Sequence, residues 1–274
     1  MTTILYPERR YPNDWIEREI LGRRADIRIR DVPHLAQLTN QDRDGVTTLV
    51  LHALAATEAD IAAFPALRHI LRTGPATIEP STVPIHDITG HATAELADHS
   101  IAMALALLRG LIPGPPPRRA SGLTLAILGL GRVGTAVALR AKAFGFNIVF
   151  HDPHAPPGIE DAIGIARART LQALLLKADI LTIQTPDLPG LIGLAELSIL
   201  PHGALVVNTT HGTTLNLAAV QPLLDSGQIA AAALDLVDGE TAPNGVLVTR
   251  HAAHSPDATD ALRRLTAEAV VRLG

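Results

Sequence analysis

The sequence contains no cysteine, and this absence excludes disulfide bonds, thiol nucleophiles and cysteine-ligated metal sites. Aromatic residues make up only 3% of the chain, so the core must be built mainly from Ala, Leu, Val and Ile. No apolar run is long enough to cross a bilayer, and the N-terminal segment mixes acidic and basic residues, unlike a signal peptide. These absences favour a cytoplasmic protein that does not enter a membrane.

Basic residues are not concentrated anywhere along the chain. The 274 residues carry a formal net charge of −4 and form no basic stripe, so nucleic acid is not an expected partner. Hydrophobic residues make up 47% of the chain, which is enough for a substantial core in one large or two modest domains.

Strand and helix patterns alternate along the first part of the chain, which is typical of a parallel sheet with helices on its faces. Strands are predicted at 2–6, 26–30, 46–52 and 67–71, and helices at 15–21 and 57–64. A longer apolar helix is predicted at 93–109, and the proline-rich run 113–117 separates it from the rest of the chain.

The alternation resumes after this break. Strands are predicted at 123–128, 147–151, 180–184, 204–208, 229–234 and 246–249, and helices at 133–144, 171–178, 194–200 and 217–226. Six strands in this arrangement are typical of a doubly wound dinucleotide-binding domain. An amphipathic helix predicted at 258–273 ends the sequence.

One segment carries a specific ligand-binding pattern. A predicted strand leads into Gly129-Leu-Gly131-Arg-Val-Gly134, and a helix and a second strand follow, ending in Asp152. Gly129 permits the tight turn, Gly131 the approach of a pyrophosphate, and Gly134 close packing of helix on strand. Asp152 stands at about the 20-residue distance at which a carboxylate accepts hydrogen bonds from the ribose of NAD. Because an acid repels a 2′-phosphate, the sequence predicts NAD rather than NADP.

Several motifs, in order along the chain, resemble those of the NAD-dependent D-isomer-specific 2-hydroxyacid dehydrogenases. They lie at 128–134, 141–145, 151–153, 190–193, 200–209 and 233–235, with a weaker likeness at 16–21, 71–74 and 95–99. The resemblance implies transfer of a hydride between C4 of nicotinamide and C2 of a small 2-hydroxy or 2-keto acid. It also implies a homodimer.

The resemblance extends to the architecture and to the cofactor site. It implies an α/β protein in which residues 1–90, completed by 255–274, form a smaller flavodoxin-like substrate domain. Residues 91–254 form a doubly wound, parallel-sheet Rossmann domain that binds NAD. In the family, the aspartate that matches Asp235 binds the nicotinamide amide. The candidate cofactor-binding residues are Gly129, Gly131, Arg132, Val133, Gly134, Asp152, Pro186, Asn208, Thr209 and Asp235.

Three side chains act in the family's reaction, and two of them have counterparts here. His251 matches the histidine that exchanges the hydroxyl proton, and Glu240 matches its glutamate partner. A carboxylate partner raises the pKa of a histidine and fixes its tautomer, as a general acid/base requires. At the arginine position stands His211, which cannot form arginine's bidentate fork and is mostly neutral at pH 7. His251, Glu240 and His211 are the candidate catalytic residues.

The other departures from the family also fall on the substrate side. Gly74 belongs to a loop whose N–H groups bind the substrate carboxylate in the family, but Pro75 beside it has no N–H. Arg250 replaces the usual proline before the catalytic histidine and, like His211, is a candidate for binding the substrate anion. Around 78–83 the chain is about a dozen residues shorter than the family, which is the length of a helix.

Because the cofactor motifs are kept and the substrate motifs are changed, more than one function remains open. The chain is either a dehydrogenase with an altered substrate site or an NAD-binding protein without catalysis, such as a regulator or scaffold. A different NAD-assisted reaction is a third class. His211, His251 and His254 could suggest a metal site, but no acid or cysteine completes a ligand set. Hydrogen-bonding roles are therefore favoured, and no metal is expected.

Overall fold

The computed structural model describes residues 2–112, 115–210, 213–237, 239–250 and 252–274. The chain folds into two compact units, one of Met1–Ala92 with Pro256–Gly274 and the other of Thr93–Ser255. Among the described ranges, no helix combines the length and the apolar character that a membrane crossing requires.

The described part of the first unit contains a five-stranded parallel sheet with strand order β2-β1-β3-β4-β5. This is the order of flavodoxin-like sheets, so the predicted fold class is confirmed for this unit. The sequence patterns missed β5 and α2, which are too short to show a hydrophobic period. The elements are β1 (Thr2–Tyr6), α1 (Trp15–Leu21), β2 (Ala25–Ile29), α2 (Asn40–Arg43), β3 (Thr48–Leu51), α3 (Glu58–Ala62), β4 (His69–Arg72) and β5 (Ile85–Asp87).

Side chains at the first turn explain where the short helices of this unit begin. Thr57 caps α3: its Oγ1 accepts a hydrogen bond from the Asp60 N–H at 3.1 Å, and the Asp60 carboxylate accepts one from the Thr57 N–H at 3.0 Å. Thr39 caps α2 in the same way. Each reciprocal pair satisfies backbone donors that a helix N-terminus would otherwise leave unbonded.

The described part of the second unit contains a seven-stranded parallel sheet with strand order β12-β11-β10-β9-β6-β7-β8. Its helices are α4 (Thr93–Leu108), α5 (Arg132–Ala143), α6 (Ile159–Ile163), α7 (Leu171–Leu175), α8 (Leu194–Leu197) and α9 (Val220–Asp225). Its strands are β6 (Thr124–Leu128), β7 (Asn147–His151), β8 (Ala166–Arg167), β9 (Ile180–Ile183), β10 (Ala204–Asn208), β11 (Ile229–Asp235) and β12 (Leu247–Thr249). The prediction of six strands lacked β8, whose two residues show no alternation.

The strand order of this sheet reverses beside β6. The chain runs outward from β6 through β7 to β8, then returns to the other side of β6 and continues through β9 to β12. This reversal is the mark of a doubly wound fold, and ligands of such sheets bind beyond the carboxyl ends of the strands at the reversal. The carboxyl ends of β6 and β9 therefore locate the expected ligand site.

Aliphatic side chains cover both faces of the second sheet. In β6, Leu125 and Ile127 join the cluster that packs with α4 and α5, while Ala126 and Leu128 join the cluster that packs with α7, α8 and α9. Successive strand residues point to opposite faces, so both sets are buried only because helices lie on both sides.

The last helix, α10 (Pro256–Leu273), belongs to the first unit. Its Ala267 and Val270 join an apolar cluster with residues of β1, β3 and β4. On the same helix, the Arg263 guanidinium pairs with the Glu17 carboxylate of α1 at 2.6 Å, and both side chains are only 4% exposed. The two ends of the chain thus build one core.

Candidate functional site

Each of the three glycines of the motif is required or permitted for a different structural reason. Gly129 has a φ of +92°, a conformation that favours glycine. A Cβ on Gly134 would lie 2.1 Å from the Gly129 carbonyl oxygen, so only glycine allows this approach. A Cβ on Gly131 would meet nothing within 4 Å, which leaves open space beside that backbone. The turn is therefore tightly packed on one side and open on the other, as a pyrophosphate site requires.

Helix α5 begins directly at this turn. Arg132, Val133 and Gly134 are its first three residues. The N–H groups of a first helical turn have no carbonyl partner within the helix, and the helix dipole favours a negative group there. The sequence-predicted residues of the motif are thus brought together at the carboxyl end of β6.

Asp152 lies beside the glycine turn, just after β7. One carboxylate oxygen accepts a hydrogen bond from the Leu130 N–H at 2.8 Å, and the other accepts one from the His154 N–H at 2.8 Å. Burial opposes ionisation of Asp152, but the backbone N–H groups of Leu130, His154 and Ala155 outweigh it and hold its pKa below the usual value. Asp152 is therefore a fixed negative charge at neutral pH.

An arginine that no sequence motif indicates lies close to Asp152, and it donates to the Asp152 carbonyl oxygen at 3.5 Å. Arg167, on β8, donates hydrogen bonds to the carbonyl oxygens of Ala155 and Pro156 and pairs with Glu160 at 2.8 Å. Its guanidinium also stacks over the Phe150 ring at 4.8 Å. Because Glu160 neutralises this cation, Asp152 keeps a local negative charge without a competing free cation from Arg167.

Polar side chains converge at the carboxyl ends of β9 and β10. Gln184 Nε2 donates to Ser100 Oγ at 3.0 Å and to Thr182 Oγ1 at 2.8 Å, and Ser100 Oγ lies 2.8 Å from Thr209 Oγ1. Thr209 is predicted from the sequence motifs, whereas no local pattern indicates Gln184 or Ser100. Thr185 directly follows Gln184, and its hydroxyl oxygen is buried and has no hydrogen-bond partner among the described residues.

Asn208 closes the turn that follows β10. Its side-chain oxygen accepts hydrogen bonds from the Thr210 N–H at 3.1 Å and from the Thr210 hydroxyl at 2.7 Å. Asn208 is 3% exposed. Its amide therefore holds local backbone at the ligand edge of the sheet. Pro186, another predicted cofactor residue, follows β9, and its carbonyl oxygen accepts a hydrogen bond from the Thr214 hydroxyl at 3.3 Å.

Asp235 is a buried carboxylate at the end of β11, with 1% exposure. It accepts a hydrogen bond from Thr249 Oγ1 at 2.6 Å and weaker ones from the Ala252 N–H at 3.3 Å. Thr249 Oγ1 lies in turn 2.8 Å from His99 Nε2 on α4. His99 was not predicted as a site residue, although it falls in a segment that resembles the family.

Glu240 and Arg250 lie in the same local structure. The Glu240 carboxylate accepts a hydrogen bond from the Val237 N–H at 2.8 Å. The Arg250 guanidinium donates to the carbonyl oxygens of Val237 and Glu240. Arg250, proposed above as an anion-binding residue, therefore holds main-chain carbonyl groups in the structure.

His251 and His211, the other two candidate catalytic residues, lie outside the described residues. His254, which follows them, is exposed. Among the residues that the structure describes, no group of three or more metal-binding side chains comes together.

Gly74, the predicted substrate-binding glycine of the first unit, packs against His52. A Cβ on Gly74 would lie 2.3 Å from the His52 ring. The Ala76 N–H donates to the His52 carbonyl oxygen at 2.7 Å, and Pro75 has no N–H. Within the segment 74–76, the Gly74 N–H is thus the donor left without a partner among the described residues.

His52, beside Gly74, is half-buried. Burial and, second, the nearby Arg10 charge lower the pKa of His52 to about 4. Its Nδ1 lies 3.3 Å from Thr73 Oγ1, which itself donates to the Leu51 carbonyl oxygen. The ring therefore supports the Gly74 loop as an uncharged group.

Sequence comparison matches the second unit to a known domain. A model of the family described as D-isomer specific 2-hydroxyacid dehydrogenase, NAD binding domain, matches residues 111–256. The glyoxylate reductase of Aeropyrum pernix is 40% identical over 143 residues, which cover 48% of this chain and 42% of that protein. The D-3-phosphoglycerate dehydrogenase of Methanocaldococcus jannaschii is 34% identical over 131 residues, covering 47% of this chain and 25% of that protein. The match thus spans less than half the length of either relative.

Structural comparison extends over both units. A glyoxylate reductase from Paecilomyes thermophila superposes with a TM-score of 0.80 at 20% identity, covering 98% of this chain and 94% of that one. An NAD-complexed D-isomer specific 2-hydroxyacid dehydrogenase from Lactobacillus delbrueckii ssp. bulgaricus gives 0.81 at 18% identity, covering 100% and 98%. At these identities the likeness establishes a common fold.

Proposed function

This chain belongs to the D-isomer specific 2-hydroxyacid dehydrogenase family, and we propose that it is an NAD-dependent oxidoreductase with an altered substrate site. Its cofactor is NAD. The observation that carries the proposal is the intact glycine turn beside the ionised Asp152, within a family whose members transfer hydride. The chain spans less than half of the curated relatives in sequence, so substrate and activity are inferences of ours.

The described residues fit NAD. The open side of Gly131 leaves room for the pyrophosphate, the Asp152 carboxylate suits the ribose hydroxyls, and the buried Thr185 hydroxyl lacks a partner among the described residues. When bound, NAD supplies the hydride acceptor or donor of the reaction. The protein's part is to hold it, orient it and move the substrate proton.

We assign proton transfer to His251, with Glu240 as its partner, from their match to the family's motifs. The Val237 N–H bonds the Glu240 carboxylate, and Arg250 bonds the same loop through its carbonyl groups. These contacts restrict the carboxylate to few positions. A carboxylate near an imidazole stabilises the protonated form, which a general acid/base forms in each turnover.

We infer that simple 2-keto acids bind weakly. His211 replaces the family's arginine, and segment 74–76 retains one N–H without a partner among the described residues. Two N–H groups of Arg250 already donate to the carbonyl oxygens of Val237 and Glu240. Loss of a charge-assisted pair costs roughly 1.5–3 kcal/mol of binding. The same observations favour the second candidate function, an NAD-binding member of the family without catalysis.

A panel of carbonyl substrates with NADH separates the two candidates. Purified protein is mixed with NADH and glyoxylate, pyruvate, hydroxypyruvate or larger 2-keto acids, and the loss of NADH absorbance is followed. We expect turnover of at least one substrate and poor turnover of pyruvate, with higher activity on simple keto acids in His211→Arg. If NAD binds but neither protein turns over any substrate, the non-catalytic function replaces the enzymatic one.

We also propose a homodimer, from the family resemblance and the apolar helix α4. Sedimentation equilibrium of the purified chain measures its mass directly, and a monomer at micromolar concentration contradicts the proposal.

A further inference from the structure

Two successive residues of α4 reach the ligand edge of the second sheet. Ser100 joins the buried polar group of Gln184 and Thr209, whereas His99 turns to a different pair of strands. His99 Nε2 lies 2.8 Å from Thr249 Oγ1 at the end of β12, and 3.9 Å from Asp235 Oδ1 at the end of β11. Thus one helix side chain connects the ends of the two strands that precede the Glu240 loop and position 251.

The direction of these hydrogen bonds follows from the chemistry of the groups. The Thr249 hydroxyl has a single proton, and it donates that proton to Asp235 Oδ1 at 2.6 Å. The Thr249 oxygen is then left to accept, and His99 Nε2 must be the donor. The proton-donating order is therefore His99 to Thr249 to Asp235.

Because Asp235 is buried, its orientation depends on these hydrogen bonds. Asp235 is 1% exposed, and a polar side chain in such a place is costly unless it is hydrogen-bonded. Without His99, the Thr249 hydroxyl loses a donor that sets its rotamer, and it is released to turn away from Asp235. His99 thus orients the carboxylate indirectly, through a residue 150 positions away in sequence.

We propose that His99 is a positioning residue for the nicotinamide half of the cofactor, acting through Thr249 on the Asp235 carboxylate. The inference rests on the proposed function, in which Asp235 binds the nicotinamide amide. In the proposed function the adenosine half binds at the glycine turn after β6 and at Asp152 after β7, whereas Asp235 and Thr249 end strands on the opposite side of β6. Loss of His99 therefore weakens binding of the nicotinamide half alone.

Binding of NAD⁺ compared with ADP-ribose, which lacks the nicotinamide ring, tests this directly. Calorimetry is done on wild type, His99→Ala, Thr249→Val and the double variant. For His99→Ala we expect NAD⁺ affinity to fall about threefold to tenfold, the size of one hydrogen bond, with ADP-ribose affinity unchanged. Thr249→Val should have a similar effect, and the double variant should lose no more than the larger single loss, because both residues act in one path.

Two further variants make the result specific. His99→Gln keeps an N–H donor and should retain most of the wild-type affinity for NAD⁺. His202→Ala, an exposed histidine before the amino end of β10, is the matched control and should leave both affinities unchanged. A general loss of structure would weaken NAD⁺ and ADP-ribose together.

The outcomes separate this inference from the function on which it rests. Equal weakening of both ligands in His99→Ala, or unchanged NAD⁺ affinity in it, overturns the positioning role. An effect of Thr249→Val alone also overturns it, because the path would then not include His99. Wild-type protein that binds neither ligand contradicts the proposed function itself.

Discussion

At the scale of single residues, backbone hydrogen bonds hold the Asp152 carboxylate of the candidate cofactor site in place. Asp152 receives N–H groups from the glycine turn and from its own loop, so its carboxylate is placed before any ligand arrives. Arg167 approaches the same loop, but its charge is paired with Glu160. The local field therefore favours a ribose hydroxyl over a 2′-phosphate.

Asp152→Ala should narrow the preference for NAD over NADP by about tenfold to a hundredfold, since a charged hydrogen bond and a repulsion are both lost. The pKa of Asp152 lies below its usual value, so the wild-type preference should persist from neutral pH downward and fade only as pH falls through that lowered pKa. Calorimetry with both nucleotides measures the ratio. Asp161→Ala, at an exposed position of α6, is the control, and equal affinities in wild type would refute the assignment.

His251→Ala should lower turnover by about two to four orders of magnitude, the usual contribution of a general acid/base. NAD affinity should stay nearly unchanged, because the role assigned to His251 is proton transfer. Steady-state kinetics and calorimetry measure the two quantities separately. The exposed His254→Ala serves as the matched control, and full turnover by the His251 variant would rule out its proposed role.

At the scale of elements, α10 is attached to α1 by a buried ion pair. Arg263 donates to both carboxylate oxygens of Glu17, and its guanidinium lies 4.8 Å from the Tyr11 ring. One residue further, Arg264 makes an exposed pair with Glu19 at 3.3 Å. The two adjacent ion pairs differ in burial, so they are expected to contribute differently to the free energy of unfolding.

Glu17→Gln should lower the free energy of unfolding by about 3–5 kcal/mol, because the buried Arg263 charge loses its buried carboxylate and keeps only the half-exposed Asp260 at 3.7 Å. Glu19→Gln should change it by less than about 1 kcal/mol, since that pair is screened by solvent. Urea unfolding of the two variants measures both values. Similar losses in both would show that burial does not set the strength of the Glu17 pair.

At the scale of the whole molecule, the chain divides into two units with separate cores. The predicted cofactor residues that the structure describes all lie in the unit Thr93–Ser255, and Gly74 lies in the other. Ligand binding stabilises the structure that binds it, by about 2.7 kcal/mol at a hundredfold excess over Kd. The units should therefore respond differently to NAD.

NAD alone should slow hydrogen exchange in the carboxyl halves of β6, β9, β10 and β11 far more than in β1, β3 and β4. The physical reason is that NAD binds the closed form of the second unit, so the opening that allows its amide hydrogens to exchange costs more free energy when NAD is bound. Exchange measured by mass spectrometry with and without NAD gives the comparison. Equal protection of both sheets would contradict a cofactor site built from the second unit.

Local patterns in the sequence determined the fold class, the family and the cofactor. β1, α1, β7 and β10 have the predicted limits, because a hydrophobic period acts over a few residues. The glycine turn was predictable for the same reason, since its steric demands fall on six consecutive positions. Elements as short as β5 and β8 carry too few residues for any period, and only their pairing with neighbouring strands defines them.

Tertiary structure alone decided the contacts between residues distant in sequence. The return of the chain beside Val237 and Glu240 places carbonyl oxygens at the Arg250 guanidinium, and the role of Arg250 in binding an anion stays a prediction. His99 and Thr249 meet because α4 packs across the ends of β11 and β12. No local pattern encodes such a meeting, since it depends on how helices and strands pack. The sequence by itself therefore determined which cofactor this protein binds, and packing decided which distant side chains meet at the ligand edge of the sheet.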